Sequence, residues 1–306
     1  MPCICYVEKN FSAGSREVIA QANEIVEAYQ AQDLVLTLRQ LYYRFVASDL
    51  IPNTDRSYKR LGSIINDARL AGEIDWNAIE DRGRNLIRRS HWSTPGGIIS
   101  SAAASYAIDK WKGQDNYVEV WVEKQALEAI IDQACEPLDV NCIACKGYMS
   151  QSEMWRASIR YREMIQADRT PVIIHLGDHD PSGLDMTRDI QDRLEIFGVQ
   201  MEVNRIALNM DQVEEFDPPP NPAKLSDSRA AGYITEFGSE SWELDALEPA
   251  VLRDLIRKTI RSYLNKKKFK AREQREESER NALEEVSDRW NEVVEFLEIE
   301  STDEED

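Results

Sequence analysis

A short apolar run that ends in two carboxylates constrains this chain more than any other feature. In the stretch PVIIHLGDHDPSG, Val172 to Leu176 form a largely apolar run that stops at Gly177. Such a run predicts a strand buried on both faces of a parallel sheet. Asp178 and Asp180 follow directly, and Pro181 opens a predicted helix. Because ligands of open α/β sheets bind at the carboxyl ends of strands, the two acids predict a site for one divalent ion.

The same pair has a structural interpretation, in which Asp178 forms a turn and Asp180 caps the helix. A second strand end favours the metal site. The run YVEVWVE predicts a strand that ends in Glu123 and passes into a helix. Between the two strands lies a third strand–helix unit, with its strand at Val140–Cys145 and Lys146-Gly147-Tyr148 after it. Three such units with acids at two strand ends predict an α/β fold with a metal site at one sheet edge.

This order resembles the Toprim domain of topoisomerases, primases and related nucleases, in which a strand-end Glu precedes a DxD pair by two strands. The KGY and DHDPSG pieces resemble the A subunit of topoisomerase VI and the related meiotic double-strand-break protein, whose motifs read roughly GKGYPD and DGDPYG. Two features depart from those motifs, Met149-Ser150 in place of Pro-Asp and His179 between the acids. The resemblance implies that Glu123, Asp178 and Asp180 hold Mg²⁺.

The segment before these units predicts a winged-helix module. Thr37 is the predicted N-cap of one helix, and a second helix is predicted over Asp55–Ala71, where Gly72 stops it. Glu73–Trp76 is the predicted wing strand. Helix, turn, helix and wing is the order found in winged-helix DNA-binding proteins.

Two adjacent tyrosines lie in TLRQLYYRF, on the first of these helices. Packing in the core is one interpretation of both. In the topoisomerase VI A family, however, the nucleophile is the second tyrosine of a segment resembling TxRDIYY, and the resemblance covers Thr37–Gly183, about half of the chain. It implies that Tyr43 is the nucleophile of a covalent phosphotyrosyl step and that Arg39 assists it. The matching positions are Thr37, Arg39, Tyr42 and Tyr43, and the departures are Gln40 and Leu41.

The net charge of −19 argues against a generic nucleic-acid binder. Much of it comes from the end of the chain, since 15 acids and 4 bases follow from Arg272 onward. The second predicted helix carries a basic face, which predicts contacts with the phosphates of double-stranded DNA. The predicted DNA-binding residues are Arg56, Lys59, Arg60, Arg69, Lys124 and Lys146, and Arg82, Arg84, Arg88 and Arg89 extend the basic character.

Three segments are predicted along the chain. Residues 1–100 form a winged-helix domain with the candidate tyrosine, residues 101–245 a Toprim domain, and residues 246–306 a basic, then acidic, helical extension whose end, Ser301–Asp306, is disordered. No apolar run approaches the length of a membrane span, and no signal peptide is predicted. The odd number of cysteines, five, is typical of reduced thiols in a cytoplasm.

The resemblance further implies a homodimer, in which the tyrosine of one protomer works with the metal site of the other, and a separate GHKL-type ATPase subunit. The chain is similar to small stand-alone A-like members of the family. The leading hypothesis is therefore a type IIB topoisomerase A-like enzyme that cleaves DNA by Mg²⁺-assisted tyrosine transesterification. Two alternatives stay open: a Toprim endonuclease that hydrolyses DNA without a covalent intermediate, and a non-enzymatic winged-helix DNA-binding protein.

Overall fold

A computed structural model describes residues 3–32, 34–80, 90–224 and 226–298 of the chain. The arginines at positions 82, 84, 88 and 89 and the segment Ser301–Asp306, predicted to be disordered, lie outside these residues. The α-helices are α1 (Ala13–Gln30), α2 (Leu38–Ala47), α3 (Asp55–Leu70), α4 (Pro95–Ser105), α5 (Glu128–Cys135), α6 (Gln151–Gln166), α7 (Pro181–Ile196), α8 (Met210–Phe216), α9 (Ala230–Phe237), α10 (Pro249–Ser262), α11 (Lys266–Asp288) and α12 (Trp290–Phe296). The strands are β1 (Asn116–Val122), β2 (Asn141–Ala144), β3 (Thr170–Leu176), β4 (Glu202–Ala207), β5 (Asn221–Pro222) and β6 (Glu240–Ser241).

Within the described residues, the main sheet has four strands in the order β2-β1-β3-β4, and β2 and β4 pair in parallel with their inner neighbours. Helices α6 and α7 pack on one another, with α6 against β3 and α7 against β4, while α10 contacts α5, β3 and β4. Every residue of β3 after Thr170 is buried. The prediction of an α/β fold with a parallel sheet is confirmed.

The chain divides into two compact units, one made of residues 1–85 and 117–262, the other of residues 86–116 and 263–306. The first unit thus contains both the tyrosine-bearing helix and the parallel sheet. In the second unit α4 packs along α11, where Ser287 Oγ donates to the Gly96 carbonyl at 3.0 Å and the buried Glu276 carboxylate accepts the Ile108 amide at 2.9 Å. The predicted division into three functional domains stays a prediction.

Helices α1 to α3 share an apolar core, with Ile19, Leu41, Phe45 and Ile65 among its buried members. The helix start predicted at Thr37 is confirmed, because Thr37 and Gln40, three residues on, form a capping box. Thr37 Oγ1 accepts the Gln40 amide, and the Gln40 side chain accepts the Thr37 amide.

The predicted wing strand at Glu73–Trp76 is wrong. This segment forms bends and turns instead of a strand. The Arg69 guanidinium lies over the Trp76 ring at 4.6 Å and donates to the Trp76 carbonyl at 2.8 Å. Gly72, with φ +73°, turns the chain back against the Cys5 backbone, so the segment packs onto the N-terminus and does not pair as a strand.

In the described residues no helix is long and apolar enough to cross a membrane.

Candidate functional site

Two strand ends meet at one edge of the parallel sheet. Because β1 and β3 are neighbours, Glu123, the residue after β1, lies beside the turn that follows β3. The Asp178 amide donates to Glu123 Oε2 at 2.9 Å, and the Glu123 amide donates to the Leu176 carbonyl at 2.9 Å. The structure therefore brings together two acids that come from separate strand–helix units.

A glycine and an arginine shape this turn. A Cβ on Gly177 would lie 3.0 Å from Glu123 Oε2 and 3.1 Å from Arg205 Nη1, so a larger side chain would press on both groups. Arg205, on β4, donates from Nη2 to the carbonyls of Gly177 at 3.0 Å and Asp178 at 2.7 Å. Burial lowers the pKa of Arg205 to about 10. Sequence reasoning missed this residue, whose signal was a basic side chain near the carboxyl end of a strand segment.

Asp180 caps helix α7. Its Oδ1 atom accepts the Gly183 amide at 2.6 Å and the Ser182 hydroxyl at 3.0 Å. Gly183 allows this helix to begin directly against the turn, since a Cβ there would clash with the Asp178 carbonyl. The capping interpretation is thus correct for Asp180, while its role as a metal ligand stays a prediction. The two are compatible because a carboxylate has two oxygens.

The KGY turn lies at the same edge. The Gly147 amide donates to the Glu123 carbonyl at 3.2 Å, and both Lys146 and Gly147 have positive φ angles. Lys146 is exposed, as a phosphate contact requires. The Tyr148 hydroxyl donates to Asp185 Oδ2 at 2.7 Å, on helix α7. This turn therefore closes one side of the candidate site.

Lys124 lies inside a group of carboxylates. Its Nζ atom is 3.0 Å from Asp178 Oδ1, 2.9 Å from Glu243 Oε2 and 2.9 Å from Asp245 Oδ1. Burial opposes the charge of Lys124, but these three neighbours outweigh it and raise its pKa. Its ammonium is thus charged and engaged, and its predicted contact with DNA stays a prediction.

Glu243 and Asp245 belong to a late segment that sequence reasoning missed. Trp242 exchanges backbone hydrogen bonds with His179, at 2.8 and 3.0 Å, and the Leu244 amide donates to Asp178 Oδ1 at 2.8 Å. These bonds fix the segment against the DxD turn. The ELD pattern, two acids flanking a leucine, was its only signal in the sequence.

His179, which departs from the family motif, holds this segment in place. Its Nδ1 atom lies 2.8 Å from the Tyr233 hydroxyl, and its ring packs edge-on against Phe237 and Trp242. The histidine is buried and packs in an aromatic cluster. A glycine at this position would lack these contacts.

The tyrosine-bearing helix joins the same network. Arg39 donates from Nε to Asp245 Oδ2 at 3.0 Å, forms an ion pair with Glu243, and places Nη2 3.4 Å from the Tyr43 hydroxyl. The Tyr43 hydroxyl is also hydrogen-bonded to Glu243. Within one compact unit, a chain of charged contacts therefore runs from Tyr43 through Arg39, Asp245 and Lys124 to the DxD turn.

The environment of Tyr43 keeps its phenol neutral. Burial is the main cause that raises its pKa, Asp245 and Glu243 raise it further, and Arg39 opposes them. Tyr43 is only 4% exposed. Tyr42 is equally buried, but its hydroxyl donates to Asn53 Oδ1 at 2.9 Å, outside the carboxylate group. Both tyrosines line a cavity of about 190 Å³ that also reaches Arg39 and Glu243.

The candidate DNA-binding residues of helix α3 differ in exposure. Arg56, Lys59 and Arg60 are exposed, and Arg56 and Arg60 line a groove of about 630 Å³ between α1 and α3. Arg69 is half-buried and bound to Trp76. The first three are thus available to phosphates, whereas Arg69 supports the local fold.

The donor set of this edge suits a divalent cation by charge. Among the described residues of the network, five carboxyl groups outnumber three cations by two. The carboxyl groups belong to Glu123, Asp178, Asp180, Glu243 and Asp245, and the cations are Lys124, Arg39 and Arg205. In the described parts of the chain, no three acidic, histidine or cysteine side chains are already arranged around a common point as a metal site. At Asp178 the Oδ1 atom is engaged by the Lys124 ammonium and by the Leu244 amide.

No protein-family model matches the sequence, and comparison with curated proteins gives no significant match.

Proposed function

We propose that this chain is a topoisomerase VI A-like enzyme, which cleaves double-stranded DNA through Tyr43 with the help of a divalent metal ion. The observation that carries the proposal is the continuous network that joins the Tyr43 hydroxyl to the DxD turn inside one compact unit. A tyrosine that only packed in the core would need none of these charged neighbours.

Glu123, Asp178 and Asp180 would hold Mg²⁺, a cation that prefers carboxylate oxygens. The excess of two carboxyl groups over the cations at this edge supports a divalent ion. When bound, the ion would stabilise the negative charge that develops on the phosphate and on the leaving oxygen.

The residues of the chain divide the remaining chemistry. The Tyr43 oxygen would form a bond to phosphorus while the bond from phosphorus to a deoxyribose oxygen breaks. Its proton would pass to Glu243, which is hydrogen-bonded to the phenol. Arg39 would neutralise the phosphate, since a guanidinium matches phosphate geometry. Arg56, Lys59 and Arg60 support a path for the duplex along α3.

The proposal includes the partners that the resemblance implies, a second copy of the chain and a separate GHKL-type ATPase. The contacts of Tyr43 within its own chain support a site that could also be completed in cis. The A-like chain would supply cleavage, and the ATPase would supply the energy for strand passage.

A hydrolytic Toprim endonuclease is the second candidate, and the state of Tyr43 favours it. The phenol is buried, its pKa is raised, and its hydrogen-bonded neighbour Glu243 is a weak base because Lys124, Tyr43 and Arg39 outweigh burial and lower its pKa to about 2. A metal-activated water would avoid this difficulty.

Covalent trapping separates the two candidates. End-labelled supercoiled plasmid is incubated with Mg²⁺ and the full chain, rapidly denatured with detergent, and examined for protein–DNA adducts. The wild type and Tyr42→Phe should form the adduct, whereas Tyr43→Phe should not. Tyr42→Phe is the matched control, because it removes a buried hydroxyl from the same helix outside the carboxylate group.

Cut DNA without adduct in all three proteins would establish the hydrolytic endonuclease instead. Asp178→Asn should abolish cutting in either case. An adduct formed by Tyr43→Phe would exclude Tyr43 as the nucleophile.

A further inference from the structure

We propose that Lys124 is an exchangeable counter-ion of the candidate metal site, which occupies Asp178 in the absence of metal and must leave it when the ion binds. The inference rests on the proposed function, because it concerns the same metal. It adds a device that sets how tightly the site binds the ion.

The geometry shows an ammonium with all its donors in use. A lysine has three N–H donors, and Lys124 Nζ has three carboxylate partners at 2.9 to 3.0 Å. The partners come from two separate parts of the chain, Asp178 from the end of β3 and Glu243 and Asp245 from the late segment. An arrangement of carboxylates around one positive centre is what a metal ion would otherwise receive.

Asp178 cannot easily serve both cations. Its Oδ1 atom accepts the Lys124 ammonium and also the Leu244 amide at 2.8 Å. The backbone amide is fixed by the Trp242–His179 pairing, so the ammonium is the partner that can move. A divalent ion on Asp178 would also repel an ammonium only a few ångströms away.

Lys124 would keep two carboxylate partners after it leaves Asp178. These are Glu243 and Asp245. Both acids also form ion pairs with Arg39, and Glu243 is hydrogen-bonded to Tyr43. Stronger ion pairs of Lys124 with these two acids would weaken the ion pairs that the acids form with Arg39 and the hydrogen bond between Glu243 and Tyr43. Binding of the ion would thereby release the two groups that the proposed reaction needs at the phosphate.

The test measures metal binding directly by titration calorimetry with Mn²⁺ and with Mg²⁺, using the full chain at fixed pH. We expect Lys124→Met to bind the ion at least about tenfold more tightly than the wild type, because the competing charge is gone. Lys124→Arg keeps the charge and should stay near the wild type. Lys110→Met is the matched control, since it removes a lysine that is also largely buried and paired, with Glu276 at 3.1 Å, in the other unit.

A second measurement uses the wild type alone, so that it does not depend on the folding of a variant. In ¹⁵N NMR of lysine ammonium groups, the Lys124 signal should shift as Mg²⁺ is added and reach its end point at the same metal concentration as the calorimetric titration. Equal or weaker affinity in Lys124→Met, or an unmoved Lys124 signal while the wild type binds the ion, would overturn the inference and leave the metal site intact. Absence of binding in the wild type would overturn the metal site itself, and the inference with it.

Discussion

Two buried glutamates lie four residues apart, Glu119 within strand β1 and Glu123 directly after it, and their surroundings are opposite. Glu119 accepts hydrogen bonds from the Tyr161 hydroxyl at 2.6 Å, the Trp121 indole at 2.9 Å and two nitrogens of Arg160 at 3.0 Å. Glu123 accepts the Asp178 amide and lies among other acids. One carboxylate is saturated by donors, and the other is crowded by like charges.

The pKa values of the two groups record this difference. Burial raises the pKa of Glu123, and the charge of Asp180 adds to it. For Glu119 burial acts in the same direction, but Arg160 and Tyr161 outweigh it, and the pKa is lowered. A buried acid whose oxygens are all used can only hold the fold together. A buried acid that lacks enough donors retains the capacity to take a cation.

The largest expected effect that sharpens this comparison is on stability. Glu119→Ala would leave the Trp121 indole, the Tyr161 hydroxyl and the Arg160 guanidinium without their acceptor. We expect it to lower the free energy of unfolding by about 3 kcal/mol, at the low end for a broken buried ion pair because Arg160 is partly exposed. Glu123→Ala, the matched change directly after the same strand, should cost about 1 kcal/mol or less. Urea unfolding followed by circular dichroism measures both, and equal losses would remove the distinction.

A smaller effect concerns pH. Burial raises the pKa of Asp178 to about 7, from about 3.9 in an unfolded chain. The native state therefore binds a proton more tightly than the unfolded state, so stability without metal should fall as pH rises from about 4 to about 7. Asp178→Asn should abolish this fall and be more stable than the wild type at pH 8 by about 1–2 kcal/mol.

Glu119 should give the opposite dependence, because its pKa is lowered. Its stabilisation is present above about pH 4.3 and is lost as pH falls through the native-state pKa. Urea midpoints of Asp178→Asn and Glu119→Gln across this range compare the two acids. If Asp178→Asn retained the wild-type decline between pH 4 and 7, the crowding at the sheet edge would not govern it.

The smallest expected effect separates the two roles of Asp180. Asp180→Asn keeps an N-cap acceptor for the Gly183 amide. Its free energy of unfolding, measured by thermal denaturation, should therefore match the wild type within about 0.5 kcal/mol. Asp180→Ala removes the cap and should cost about 1 kcal/mol. Both should weaken Mn²⁺ binding in calorimetry to a similar degree. If Asp180→Asn retained Mn²⁺ binding and Asp180→Ala lost it, binding would depend on the N-cap. Asp180 would then have only its structural role.

Some residues of the candidate site could be predicted from the sequence, and others could not. Glu123 and Asp178 could be predicted because strand patterns place them, and neighbouring parallel strands end at the same edge. The pattern of β1 places Glu119 within the strand and Glu123 at its end, but it does not show that Glu119 is saturated by donors. What separates them is Arg160 and Tyr161, contributed by helix α6.

Contacts made over long separations were beyond the sequence. Glu243 and Asp245 lie at the start of a 3-10 helix of only three residues, Leu244–Ala246, which is too short to leave a periodic pattern. Trp242 brings them to the site by pairing with His179. The wing strand failed for a related reason. In the part of the chain that the structure describes, Glu73–Trp76 pairs with no strand, and Arg69 stacks on Trp76 instead. Local patterns predict elements, whereas these contacts depend on the tertiary arrangement.

The late position of the Glu243–Asp245 segment has a consequence for how the protein is made. Asp245 meets Arg39 across 206 residues of chain and Lys124 across 121. Contacts this distant form late, because each needs closure of a long loop. During synthesis, a nascent chain that has not reached Trp242 already carries Tyr43, Arg39 and all three candidate ligands. Arg39 then lacks both of its carboxylate partners, and Lys124 lacks two of its three. The groups proposed to cut DNA would therefore stay unassembled on the ribosome until most of the protein has been translated.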